Sequence, residues 1–412
     1  MRLAQRRLTR HGATILTPSR IIIAGAGIGG LTAALALARR GFRVVVLEQA
    51  ERLEETGAGI QLSPNASRTL IDLGLEERLR PQVIEPAGLR VLNGETGREI
   101  VRVPLGKAAA ARYGAPYWVI HRGDLQAALV GAAAQQLDIS IKLGLHVDDV
   151  AVHPNGITVM SHGRSGVADE HGNALIAADG LWSTARARFG YGGAPRFAGR
   201  VAWRALVRAK DVSPQLSEPL VQLWLGRGAH IVHYPVKGGS VINVVVIMDD
   251  TWNAPGWSEP ATRVDLLPRL STRDWTPQAL SLLSAPDAWL KWALFDRRPI
   301  LRAAAGPVAL LGDAAHPMLP YLAQGAAMAI EDAAVAARCL AQTPNDPAAA
   351  FRSYWRSRRR RAWKAQRLAA RNGARYHLSG VRAMLRNVAM RTLGGARLLH
   401  HYDWLYGWQP PA

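Results

Sequence analysis

Cysteine is almost absent from these 412 residues: there is one, Cys339. A single thiol excludes an intramolecular disulfide framework and a cysteine-built zinc or iron–sulfur centre, and no metal is expected. Lysine is scarce, so arginine carries most of the positive charge. Acid is in short supply as well: 31 Asp and Glu face 51 Lys and Arg, for a net charge of +20. No uninterrupted apolar run approaches the ~18 residues of a membrane-crossing helix, so no membrane span is expected. Residues 1–19 form an Arg-rich, acid-free N-terminal extension without the apolar core of a secretory signal, and a cytoplasmic location is expected. A positive field draws in anionic cofactors and substrates. No nucleic-acid partner is expected, a nucleic-acid or membrane-binding protein with a vestigial dinucleotide fold being the remote alternative.

What is present is a globular composition, 49% hydrophobic and 20% charged, long enough for two or three domains or one composite. Regular structure starts abruptly at Ile21. The run 21–24 reads as a buried parallel strand, 31–40 as a helix rich in Ala and Leu, and 43–47 as a second strand closed by Glu48. Residues 124–137 read as a helix, 139–160 alternate as strands do, and 174–178 form another apolar strand stopped by Asp179 and Gly180. Residues 196–250 switch to short β-rich runs between Gly and Pro turns. Another buried-type strand, 308–311, leads into an Ala-rich helix at Gly325–Gln342, and 346–400 read as helical and very basic.

Between the first strand and helix lies Gly25-Ala26-Gly27-Ile28-Gly29-Gly30. Gly25 permits the tight turn, Gly27 lets the backbone approach a pyrophosphate, and Gly30 lets helix and strand pack closely. The helix N-terminus offers free N–H groups and partial positive charge to phosphates. Glu48 can accept from ribose hydroxyls, and its charge disfavours a 2′-phosphate in this cleft. The unit accommodates either a nicotinamide or a flavin dinucleotide. A second acid, Asp313, follows the strand at 308–311, where open α/β sheets bind ligands. Gln324-Gly325-Ala326-Ala327 marks the start of the next helix, whose N–H groups could face an electron-rich ring edge.

Three motifs in order, the glycine turn, Ala178-Asp179-Gly180 and Gly312-Asp313-Ala314-Ala315-His316-Pro317, resemble the single-component FAD-dependent aromatic hydroxylases of the para-hydroxybenzoate hydroxylase fold. The stretches Gly57-Ala58-Gly59-Ile60-Gln61-Leu62 and His121-Arg122-Gly123-Asp124-Leu125 support the resemblance, with a weaker echo at Asp403-Trp404-Leu405-Tyr406-Gly407. The nearest branch contains salicylate hydroxylase, 3-hydroxybenzoate 6-hydroxylase and 6-hydroxynicotinate 3-monooxygenase. The resemblance implies an α/β fold: a Rossmann-like FAD-binding domain, an inserted mostly β substrate domain and a helical C-terminal region. The corresponding segments are 20–85, 118–195 and 298–345 for FAD, 86–117 and 196–297 for substrate, and 346–412 for the helices. It implies NADH or NADPH as co-substrate, O2, and hydroxylation of a small aromatic acid or phenol through a flavin C4a-hydroperoxide. Larger phenolics, polyketides or alkenes are the alternative substrates, and a monomer or homodimer is expected.

The resemblance also assigns residues. Gly25, Gly27, Ile28 and Gly30 would receive the FAD pyrophosphate and Glu48 the adenosine ribose. Arg122 would contact the phosphates or ribityl chain, and Asp313 the ribityl chain. Pro317, Gly325 and Ala326 would line the isoalloxazine, and Asp179 and Gly180 would serve both FAD and the nicotinamide. Relatives carry a His and a Tyr four residues apart facing the flavin; His230 and Tyr234 have that spacing and share one face of a strand. They would orient or deprotonate a phenol, while His233 points to the other face. His316 is read as cofactor-site architecture. Where some salicylate hydroxylases carry a further His this chain has Pro320. Arg204 and Arg227 are candidate carboxylate binders. Trp203, Trp224 and Trp292 are read as core more than pocket wall, Cys339 as a buried thiol, and Arg358 to Arg361 as a solvated helix face.

Overall fold

The computed structural model describes residues 19–410 other than 54–57, 165, 255 and 271–273. All of the basic extension except Ser19, and Gly57 of the supporting motif, therefore lie outside the described residues.

The apolar run at the start of the chain becomes strand Arg20–Ala24, and its neighbours explain why it is apolar throughout. Ile21 and Ile23 face the helices Ile28–Ala38 and Gly325–Gln342. Ile22 and Ala24 face the opposite way, onto Val147, Val150, Ile157 and Val159 of a three-stranded antiparallel sheet. A strand covered on both faces has no polar side to alternate with. It sits inside a six-stranded sheet, flanked in parallel by Arg43–Glu48 and Ala174–Ala177. Ile139–Leu143 and Val308–Leu310 extend the parallel run outward, and a short antiparallel edge, Ala304–Ala305, closes it. The expected Rossmann-like sheet is thus present.

The second large sheet has eight strands and is antiparallel except where Val221–Leu225 pairs with Gly88–Asn93. Along each strand successive side chains point to opposite faces, apart from register shifts between Phe197 and Val201 and between Val91 and Leu92. In Ala229–Val236, Ile231 joins a core with Trp203, Trp224 and Leu282, while His230, Val232 and Tyr234 face a cavity. Helices Pro347–Tyr376, Gly380–His400 and Asp403–Tyr406 follow. The helix read at 124–137 runs instead over Arg122–Ala133, opening one residue after strand Trp118–His121. No helix among the described residues is long and apolar enough to cross a membrane.

One expectation fails. The arginine run is a solvated face only in part: Arg360 is exposed and Arg359 half-buried, but Arg358 is 1% exposed and Arg361 is partly buried. Arg358 Nη1 lies 2.6 Å from Glu331 Oε2, and its Nε lies 2.6 Å from Asp332 Oδ1. Arg361 Nη2 reaches Glu331 Oε1 at 2.6 Å. Two acids inside an Ala-rich helix demanded buried partners, because an unpaired buried charge is strongly unfavourable, and the neighbouring helix supplies them.

Candidate active site

The glycine turn is built for close backbone approach. A Cβ on Gly30 would stand 2.0 Å from the Gly25 carbonyl oxygen, so only glycine lets the helix start there. At Gly27 the opposite holds: a Cβ would meet nothing within 4 Å. Gly27 caps the helix Ile28–Ala38 without any side-chain hydrogen bond, and no acid occupies the first turn. The orphan N–H groups thus point into open space, the arrangement that binds a phosphate. Glu48 holds the turn from below, accepting from Ala26 N at 2.6 Å and Ala50 N at 2.9 Å.

This turn opens into a cavity of ≈ 490 Å³ between the two sheets and the C-terminal helices. Gly27, Ile28, Arg122, Gly180, Asp313, Gly325 and Ala326 line it, as do His230 and Tyr234. Gly25, Gly30, Glu48, Asp179 and Pro317 do not reach its wall. Gly25 and Gly30 lie behind the turn, and the Pro317 carbonyl accepts from Gln366 at 2.8 Å. Asp179 turns inward and accepts from Ala185 N at 3.2 Å, and its Oδ1 is buried without a hydrogen-bond partner. Burial pushes its carboxyl above the usual value; Asp313 stands on the cavity wall, where desolvation by the surrounding protein raises its carboxyl too.

The helix Gly325–Gln342 starts at the cavity with no side chain capping its first N–H groups. Its entry is pinned by Gln324 Nε2 donating to Ser63 Oγ at 2.7 Å and Asn65 Nδ2 donating to Glu331 Oε1 at 2.5 Å. Behind it His316 is buried with Nε2 2.5 Å from Asp332 Oδ2. Desolvation opposes a charged imidazole there, but Asp332 outweighs it and raises the His316 value. Asp332 is likewise desolvated, yet His316 and Arg358 carry its carboxyl down to about 2. His316 therefore supports the cavity wall from outside, as the sequence suggested.

On the sheet side, Arg204 lines the cavity with its guanidinium 4.3 Å from the centroid of the Trp292 ring. Its Nε is cut off from solvent and has no hydrogen-bond partner, and among the described residues no carboxylate pairs with it. Desolvation lowers it to about 10. His230 is buried, and desolvation first, then His377 and Arg200, lower its value and disfavour the charged imidazole. Its Nδ1 lies 2.9 Å from His377 Nε2. Burial pushes the Tyr234 hydroxyl up. His233 faces away, stacked against Trp224 at 6.3 Å, and desolvation lowers it to about 3. Arg227 lines a separate pocket with Asp249 and Trp275, and so drops out as a candidate. Trp203 and Trp224 are core and Trp292 is wall. Cys339 is buried.

The sequence reading missed the aromatic wall donated by the end of the chain: Tyr376, Tyr402 and Tyr406, with Tyr117 and Tyr321 beside them. The motif at 403–407 was its one available signal.

The FAD binding domain model matches residues 19–369. The chain belongs to this FAD-binding family. Its relatives include 3-hydroxybenzoate 6-hydroxylase 1 of Aquipseudomonas alcaligenes, 38% identical over 94% of this chain and 97% of that protein. Another is 6-hydroxynicotinate 3-monooxygenase of Bordetella bronchiseptica, 35% identical over 86% of this chain and 91% of that one. Among solved structures, HpxO of Klebsiella pneumoniae complexed with FAD and uric acid superposes with a TM-score of 0.83 at 26% identity, covering 94% of this chain and 96% of that one. A salicylate hydroxylase substrate complex gives 0.79 at 25% identity, covering 96% and 99%. The family member described here is an FAD-dependent monooxygenase of the aromatic hydroxylase kind. The uncapped helix end, the open space at Gly27 and the cavity beyond fit that cofactor.

Proposed function

We propose that this enzyme hydroxylates a small aromatic acid bearing a phenolic hydroxyl, of the hydroxybenzoate type, using NADH or NADPH and O2. The observation that carries the reading is Arg204: a desolvated guanidinium on the sheet side of the cavity, among Tyr234, Val245, Ile247 and Trp292, with no carboxylate paired to it among the described residues. An unpaired buried cation is costly, and a substrate carboxylate relieves that cost while fixing the ring's orientation.

In this reading Gly25, Gly27, Ile28 and Gly30 shape the pyrophosphate seat and Glu48 takes the ribose. Arg122 and Asp313 hold the ribityl and phosphate region, and Gly325 and Ala326 present N–H groups to the flavin ring. Asp179 and Gly180 border the path of the nicotinamide, and Pro317 backs the ring pocket. Residues 20–85, 118–195 and 298–345 form the cofactor domain, 86–117 and 196–297 the substrate domain, and 346–412 a helical cover. FAD, when bound, supplies the hydride acceptance and oxygen activation. The chain's own part is positioning and proton handling. Arg204 anchors the carboxylate. His230, whose Nε2 has no partner among the described residues, accepts the phenolic proton, leaving an electron-rich phenolate. Tyr234, on the same strand face, orients the oxygen. The aromatic wall keeps water from the reacting centre. The enzyme acts as a monomer or homodimer in the cytoplasm, where reduced nicotinamide is at hand.

The test is direct. The purified protein should be yellow, and its oxidation of NADH or NADPH should be stimulated by hydroxybenzoates or hydroxynicotinates with release of a hydroxylated product. Stimulation by bulky neutral phenols alone would favour the larger-substrate alternative and remove Arg204 from the site.

A further inference from the structure

His230 does not end at the cavity wall. Its Nδ1 lies 2.9 Å from His377 Nε2, and His377 Nδ1 lies 3.2 Å from Asp249 Oδ1. The three residues come from different elements: the strand Ala229–Val236, the end of the helix Pro347–Tyr376, and the end of the strand Val241–Asp249. Exposure rises along the chain of contacts. His230 is 2% exposed, the His377 side chain 4%, and the Asp249 side chain 61%. Asp249 opens onto the separate surface pocket that also holds Arg227 and Arg269. One end of the series therefore faces the cavity and the other faces solvent.

We infer that His377 and Asp249 form a proton exit from the active site, relaying the substrate's phenolic proton from His230 to bulk water. The inference rests on the hydroxylation reading above. Each step exchanges one proton. The substrate O–H bond breaks as an N–H bond forms at His230 Nε2. The proton on His230 Nδ1 passes to His377 Nε2, and the proton on His377 Nδ1 passes to the Asp249 carboxylate, which releases it to water. The two imidazoles end as the opposite tautomers of the same neutral species, and reset when the hops run backwards: Asp249 takes a proton from water and His230 Nε2 returns one to the oxygen of the hydroxylated product. No oxidant or reductant is needed.

The surroundings favour neutral relay groups. Desolvation lowers His377 to about 4, with Arg200 adding to the effect against the pull of Asp249. Desolvation would raise Asp249, yet its hydrogen bonds and charge contacts with Arg200 and His377 carry it below the usual carboxylate value. Arg200 Nε lies 2.8 Å from Asp249 Oδ1, and its Nη1 lies 3.3 Å from the Tyr321 hydroxyl. Tyr321 and Tyr376 pack their rings against His230 at 5.5 and 5.3 Å, fixing its plane. A lone buried base would have to hold the proton as an imidazolium in a desolvated site; a relay disposes of it without creating that charge.

The experiment is a stopped-flow pH jump on the FAD-loaded protein with a bound hydroxybenzoate, following phenolate absorbance, in wild type, Asp249→Asn and His377→Gln. Both variants should slow the ionisation by ~tenfold or more while leaving KM for the aromatic acid and flavin content close to wild type. In His377→Gly, added imidazole should restore the rate. Unchanged ionisation rates in correctly folded Asp249→Asn and His377→Gln would overturn the relay. So would losses spread equally over kcat, KM and flavin content without imidazole rescue. If the wild type forms no hydroxylated product from any aromatic acid, the functional reading fails, and that result is separate from the relay's.

Discussion

Arg204 lies over the face of Trp292, its guanidinium carbon 4.3 Å from the ring centroid. The aromatic face offsets part of the cost of an unpaired cation and leaves the polar edge of the guanidinium available. Arg204→Gln should therefore raise KM for an aromatic acid by roughly 10- to 100-fold, the value of a charged hydrogen bond, and leave KM for the decarboxylated phenol nearly unchanged. Steady-state kinetics on the matched pair of substrates check this. Arg204→Lys should recover only part of the loss, because a lysine cannot offer the planar fork.

Gly27 and Gly30 should respond to alanine in opposite ways. Gly27→Ala meets open space in the protein and should fold with an unchanged melting temperature as apoprotein, yet bind FAD ~tenfold or more weakly. Gly30→Ala drives a methyl into the Gly25 carbonyl and should cost stability itself, on the order of 1–3 kcal/mol. Melting curves with and without FAD separate the two effects; equal behaviour of both variants would contradict the turn's assigned geometry.

The network behind the cavity sets a pH window. Asp332 is held at about 2 in the folded chain, below its unfolded value of ~3.9. Its contribution is fully present above that unfolded value and is lost as pH falls through about 2. His316 is raised, so its contribution is present below its ordinary value and is lost as pH rises through the raised one. Stability measured by denaturant titration should decline on both sides. Arg358→Ala should cost on the order of 3 kcal/mol at neutral pH by removing the buried cation that bridges Glu331 and Asp332, which then keep only Arg361 and His316 as basic partners.

His230→Ala should slow product formation by roughly a hundredfold, the usual worth of a positioned base. Cys339→Ala should leave turnover near wild type, since the thiol is buried away from the cavity. Single-turnover product assays on the two variants check the contrast, and equal rates would strip His230 of its role.

What the sequence made legible was local. The glycine turn, the strand before it and Glu48 lie within one short stretch and carry their own geometry. The family resemblance singled out His230 and Tyr234, and period-two alternation put the two on one strand face and His233 on the other. Arg204 could not be told from the many other arginines, because its place on the wall comes from a pairing of distant strands, Ala202 opposite Trp292. The run at Arg358 was misread for a related reason: its acidic partners sit on another helix, and no spacing within the run reveals them. His377 meets His230 across 147 residues, and nothing in either neighbourhood announces the meeting.

Tyr402 and Tyr406, in the closing turns of the chain, are walls of the same chamber whose floor is laid near its beginning. A chain cut back before Tyr402 therefore keeps the glycine turn yet leaves the chamber open on one side.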